Sequence, residues 1–292
     1  ARDKGGNKVL FFVLYVIIYH SMRDKYVMLV PFRSGKMADI KEFNEYGKTL
    51  VQFLGMRTSP LAVKMLVNED DIPEGAYRPR RDDGIHYAQC QAFALSRRDK
   101  RMVAMLKEDN WCPAPITAFG LDERLERPDM VPGKAFGYYR FEPGRYIGIL
   151  TAPLETAPFV PDLVLMYPTT NQLQSLLSTF SPEEGEQIES HFFAPSCTYA
   201  VVNPMIDGKY WIVLPDPGET ARAVADDGEM MISIPQAKME GMMMRIQEAQ
   251  ARAGTFRMDA RLMQHDFAQP PHYIRAFEMW GMEHDTPGRF KM

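Results

Sequence analysis

Apolar positions recur along the chain with two periods, and these divide it into elements. Ile40, Phe43, Gly47, Leu50, Val51 and Leu54 trace one face of a helix over residues 40–54. Asp39 precedes that face and Glu42 follows three residues later, the spacing at which two side chains satisfy a helix's first amides reciprocally. Thr58-Ser59-Pro60 breaks the pattern, and residues 61–67 alternate as a strand. The stretch 68–84, dense in charge, Pro and Gly, reads as loop. A helix is predicted over 86–98, and residues 102–106 fit either a strand or more helix. Cys112-Pro113 opens a short helix that stops at Gly120, since Pro suits the first helical position. A loop holding Pro128, Pro132 and Gly133 follows.

The second half is patterned more clearly. Residues 146–153 and 162–167 read as strands, and Pro168-Thr169-Thr170 leads into a helix over 171–180 with Leu173, Leu176, Leu177 and Phe180 on one face. Residues 198–202 and 210–214 read as two strands joined by Asp207-Gly208, a hairpin-turn signal. Residues 229–234 form a further strand. Pro235 starts a long helix whose apolar face is Met239, Met242, Met243, Ile246 and Ala249, and Gly254 ends it. These elements predict an α+β fold, with a mixed, largely antiparallel sheet packed with several helices in one domain over 37–254. A polar tail, 255–292, extends from it.

Residues 1–36 do not fit that domain. The apolar run over 9–19 follows Arg2, Lys4 and Lys8 but is too short to span a bilayer, which takes about 20 residues. It has the flank and length of a signal-peptide core, yet no small-residue cleavage site follows. Arg33-Ser34 can be encoded AGG-AGY, which would place a ribosome-binding sequence just upstream of the Met37 codon. With a capped helix beginning at once, Met37 is the expected start and residues 1–36 an upstream extension outside the native protein.

Composition narrows the function. Charged residues are 25% and hydrophobic residues 46%, a globular mix that excludes a disordered chain, a coiled coil and a collagen-like fibre. The net charge of −4 leaves no basic excess for phosphates, so no nucleic-acid partner is expected, and no membrane partner either. Three cysteines in 292 residues are too few, and odd in number, for a secreted disulfide scaffold, which points to the cytoplasm. No HExxH, GxSxG or Walker loop occurs, which removes the zinc proteases, serine hydrolases and P-loop enzymes that carry them.

Cys90, Cys112 and Cys197 lead the candidate chemistry. Cys112 stands before Pro113 at a predicted helix start, Cys90 in the first turn of its helix and Cys197 before a predicted strand. Helix starts favour thiolates through their free amides and dipole. At spacings of 22 and 85 residues there is no local CxxC metal signature. If the fold gathers them they can hold three corners of an iron–sulfur cluster; otherwise each is a small buried hydrophobe. His86 lies four residues before Cys90 and either shares its site or sits at the surface beside Asp82 and Asp83. Gly218 and Arg222 form a turn that either holds an anion or leaves Arg222 to Asp226 or Asp227. Gln172, at the start of its helix, either faces an anion or caps.

Taken in order, several strings resemble a known family. They are Ser59-Pro60-Leu61-Ala62-Val63-Lys64, Cys90, Cys112 running into Phe119-Gly120-Leu121, Pro161-Asp162-Leu163-Val164-Leu165, Gln172, Ser196-Cys197, Asp227-Gly228-Glu229-Met230 and Ile234-Pro235. Together they resemble the DUF169 family of bacterial and archaeal proteins over about residues 40–252. The resemblance implies no established activity. It does imply that all three cysteines stand where relatives tend to carry cysteine. Where relatives tend to show a Gly-x-Arg turn, this chain has three residues between Gly218 and Arg222. Three functions follow as expectations. The first is a redox or metal-cofactor protein of iron–sulfur type ligated by Cys90, Cys112 and Cys197, with a redox partner. The second is a metal-free small-molecule binding or sensor domain. The third is a thiol enzyme pairing Cys112 with His86.

Overall fold

The computed structural model describes residues 39–122, 139–180, 188–192, 194–252 and 271–281. The upstream extension, the start at Met37 and the loop around Pro128 and Pro132 lie outside the described residues. Asp39 caps α1 (Ile40–Leu54) by accepting from the Lys41 N–H at 3.1 Å, and Phe43, Gly47, Leu50 and Leu54 are its buried face. Gly47 is required there. A side chain on it would come within 2.7 Å of the Glu155 backbone nitrogen, because α1 lies directly on the single helical turn Leu154–Thr156. Asn44 fixes that contact, donating through Nδ2 to the carbonyls of Leu154 and Ala157.

Among the described residues, seven strands form one sheet: β1 (Leu61–Leu66), β2 (Val103–Leu106), β3 (Gly148–Pro153), β4 (Leu163–Met166), β5 (Ile188–His191), β6 (Tyr210–Val213) and β7 (Met231–Pro235). Their order is β2-β3-β1-β4-β7-β6-β5, and every pair is antiparallel except β5 with β6. This is the α+β fold with a mixed, largely antiparallel sheet that the pattern predicts. β1 to β4, β6 and β7 are almost wholly buried, which is why their sequences run apolar, β1 too rather than alternating as expected over 61–67. Leu61, Val63, Met65, Val103, Met105, Leu163 and Leu165 join one core cluster with residues of α3 (Gln89–Arg98), α4 (Pro113–Ala118) and α6 (Ser196–Asp207). The other helices are α2 (Pro79–Asp83), α5 (Thr170–Leu177), α7 (Pro217–Ala221), α8 (Met239–Arg252) and α9 (Pro271–Met279). The chain divides into two compact units, residues 1–243 and 244–292.

Three sequence expectations need correction. Residues 198–202 are not a hairpin strand but the middle of α6, in which every residue from Ser196 to Pro204 is buried. A helix buried on all sides loses its 3.6-residue period, so its β-branched run reads as strand. Gly208, at φ +69, is the left-handed cap that stops α6, a role that uses the same Asp-Gly pair as a hairpin turn. The helix over 86–98 begins only at Gln89, because Tyr87 is held extended by a parallel bridge to Asn110. The loop over 68–84 contains α2, and the turn expected at Gly218 and Arg222 is α7 with Arg222 ending it.

Met239, Met242, Met243 and Ile246 of α8 are buried as their spacing predicts, while Met244 is 57% exposed. Met243→Ala should therefore cost about 2–4 kcal/mol of stability and Met244→Ala less than about 0.5, read from urea midpoints. Equal losses would remove the packed face.

Candidate functional site

The parallel bridge between Tyr87 and Asn110 sets two chain segments side by side. Tyr87 N–H donates to the Asp109 carbonyl (3.0 Å) and Trp111 N–H to the Tyr87 carbonyl (3.1 Å). Cys90 follows on one segment as the second residue of α3, and Cys112 on the other as the residue capping α4. Asn110 turns the second segment by accepting from the Cys112 N–H at 3.1 Å. Cys197 is the second residue of α6, not a residue before a strand, and α6 packs on both α3 and α4. All three thiols thus stand at helix starts: Cys90 and Cys197 neighbour each other inside the core cluster, and Cys112 packs against that cluster from its partly exposed side.

Burial acts on two of the thiols in the same direction. Cys90 and Cys197 are buried and Cys112 is half-buried. A hydrogen bond with Cys90, burial and the negative charge of Glu219 and Asp216 push the Cys197 thiol well above its ordinary range. Burial pushes Cys112 up too, against the Ala114 amide and Arg222, which pull it down. Among the described residues, no group of three or more His, Cys, Asp or Glu side chains is placed to hold a metal ion. A cluster needs several thiolates aimed at one centre. No such group stands among the described residues, so the geometry gives an iron–sulfur cluster no support.

A carboxyl pair flanks the thiols. Asp216 starts α7, accepting from the Gly218 and Glu219 N–H groups through Oδ1 and from the Ser196 N–H through Oδ2. The Ser196 hydroxyl lies 3.0 Å from Asp216 Oδ2 and 2.7 Å from Glu219 Oε2. One hydroxyl proton serves one of them, so the arrangement is complete when Glu219 brings its own. That agrees with burial raising the Glu219 carboxyl from 4.5 to about 7. Tyr167 Oη donates to Glu219 Oε1 at 3.3 Å, and the Arg97 guanidinium lies 4.2 Å over the Tyr167 ring.

The other sequence candidates are placed as follows. His86 is exposed in the loop before α3, so it is not one helical turn from Cys90. Gln172 caps α5, accepting from the Thr169 N–H at 2.8 Å, and its Nε2 donates to the Gly55 carbonyl at 3.0 Å. Both ends of its amide are engaged in the fold. Arg222 ends α7 beside Trp111, and Asp226 pairs with Arg98 at 2.8 Å rather than with Arg222. Sequence reasoning missed Asp216, Glu219, Tyr167 and Trp111. Asp216-Pro217 with Glu219 three residues beyond the cap was a legible helix start.

A cavity of about 440 Å³ lies beyond the other end of α4, lined by Asn68, Glu69, Leu106, Lys107, Leu121 and Tyr146 among others. Its charges are already paired, Glu69 and Glu108 with Arg78 and Lys107 with Asp122. The thiol cluster is the better candidate. A family model described as "Uncharacterised ArCR" matches residues 49–245, which span the sheet and all three cysteines. No curated protein and no solved structure matches the chain.

Proposed function

The chain belongs to the DUF169 family, and on that premise we propose that it is a metal-free small-molecule binding domain whose ligand sits against the thiol cluster. The observation that carries this reading is the placing of three cysteines at the starts of α3, α4 and α6 around the core cluster, with Cys90 and Cys197 buried and Cys112 partly exposed. Buried cysteines beside Glu219, whose carboxyl holds its proton up to about pH 7, make a lining suited to an organic ligand rather than to a cation. Gln89, fully buried next to Cys90, has neither amide atom hydrogen-bonded, which leaves polar capacity for a ligand group. The thiol-enzyme reading has less support, because a raised Cys112 is a poor nucleophile and His86 is exposed outside the helix.

The test is a thermal-shift screen of a metabolite panel in the presence of a chelator. At a hundredfold excess over its Kd, a ligand adds about 2.7 kcal/mol, or roughly 5–10 °C in Tm for a domain this size. It should also slow alkylation of Cys112 by iodoacetamide, read by peptide mass spectrometry. Iron and sulfide in stoichiometric amounts after anaerobic purification would overturn the reading in favour of a cluster, as would Tm-raising ligands that all leave Cys112 alkylation unchanged.

A further inference from the structure

Arg222 is seated with unusual definition for an exposed arginine. Its Nη1 donates to the Gly218 carbonyl at 2.6 Å, and its guanidinium carbon lies 5.0 Å from the centre of the Trp111 ring. A side chain on Gly218 would come within 2.6 Å of that Nη1, so the glycine makes the seat. Trp111 is 47% exposed although it precedes Cys112 in the core cluster's rim. Arg222 also acts on Cys112 directly, lowering what burial raises. Among the described residues it has no acidic partner. Asp226 is taken by Arg98, and both oxygens of Asp216 are filled by Ser196, Gly218 and Glu219.

We propose that Trp111, Arg222 and Cys112 recognise an organic monoanion, a carboxylate on a flat or apolar body. The carboxylate takes the open edge of the Arg222 fork, the body lies on the indole, and its far end covers the Cys112 thiol. Planar guanidinium donors match a carboxylate in a fork geometry, and an exposed indole supplies a flat apolar platform. A single cation beside Asp216 neutralises one negative charge, so a dianionic phosphate is the poorer match. This proposal rests on the binding reading above and names the ligand class for that same site.

The probes are 2-naphthoate and its neutral counterpart 2-naphthamide, with protection of Cys112 from iodoacetamide as the readout. In the unaltered protein, naphthoate should protect at concentrations at least tenfold lower than naphthamide. Arg222→Gln should weaken naphthoate by tenfold or more and leave naphthamide unchanged. Gly218→Ala, which keeps the charge but removes the seat, should weaken naphthoate in the same direction. Equal protection by both probes, no protection by naphthoate at millimolar concentration, or unchanged naphthoate affinity in Arg222→Gln would each overturn the proposal. A ligand from the screen that still shields Cys112 in Arg222→Gln would sink the anion assignment alone. Iron and sulfide at the thiols would sink the binding reading with it.

Discussion

Arg97→Met should destabilise the protein by about 3–5 kcal/mol, a larger loss than any substitution at the thiols. Arg97 is fully buried at the end of α3 and holds Glu229 with two parallel bonds, Nη1 to Oε1 at 2.8 Å and Nη2 to Oε2 at 2.7 Å. The same guanidinium donates to the Val224 carbonyl at 2.6 Å and to Thr58 Oγ1 at 3.1 Å. Glu229 in turn accepts from the Asp226 N–H at 2.8 Å. The cost comes chiefly from what is left behind, a buried carboxylate with its cation gone. Arg97→Met combined with Glu229→Leu should recover much of the loss, because it removes both charges. Urea unfolding of the two single variants and the double variant measures this. A loss under about 1 kcal/mol for Arg97→Met would mean the pair is hydrated and the packing around Tyr167 is looser than described.

That pair also shows where the sequence stops being informative. Period and punctuation place α1, β1, β3, β4, β7 and the buried face of α8, because each buries one side or is bounded by Pro, Gly or a capping residue. They fail at α6, where burial on every side erases the period, and at His86, where a bridge to a distant segment holds the chain extended. Arg97 reads in the sequence as an ordinary basic residue at a helix end, and Glu229 as a strand start. Only the 132-residue closure between them makes both internal. The cysteines were legible as residues, and the packing around them was not. It depends on the pairing of Tyr87 with Asn110 and on α6 packing over α3 and α4, both long-range. Glu219 was hidden for the same reason, since its partners Ser196 and Tyr167 are 23 and 52 residues away.

Glu219 gives the strongest expected dependence on pH. Its carboxyl ordinarily titrates at 4.5, and in the folded protein burial raises it to about 7. Ser196, Asp216, Tyr167 and Cys197 are the polar and ionisable groups that face it. Below pH 4.5 the folded and unfolded chains both hold the proton. Between 4.5 and 7 the folded chain keeps a proton that the unfolded chain has released, so stability falls as pH rises across that window. Above 7 the contribution is fully lost, a total change of about 3 kcal/mol. Glu219→Gln cannot ionise and keeps a donor and an acceptor in place, so its stability should lack this slope. The variant should match the unaltered protein near pH 4.5 and exceed it by about 3 kcal/mol at pH 8, measured by urea unfolding. Asp162, which burial also raises, titrates in both proteins and cancels in the difference. Parallel stability curves for the two proteins across pH 4.5–8 would show that Glu219 ionises normally in the fold. The lining of the thiol cluster would then be charged already well below pH 7.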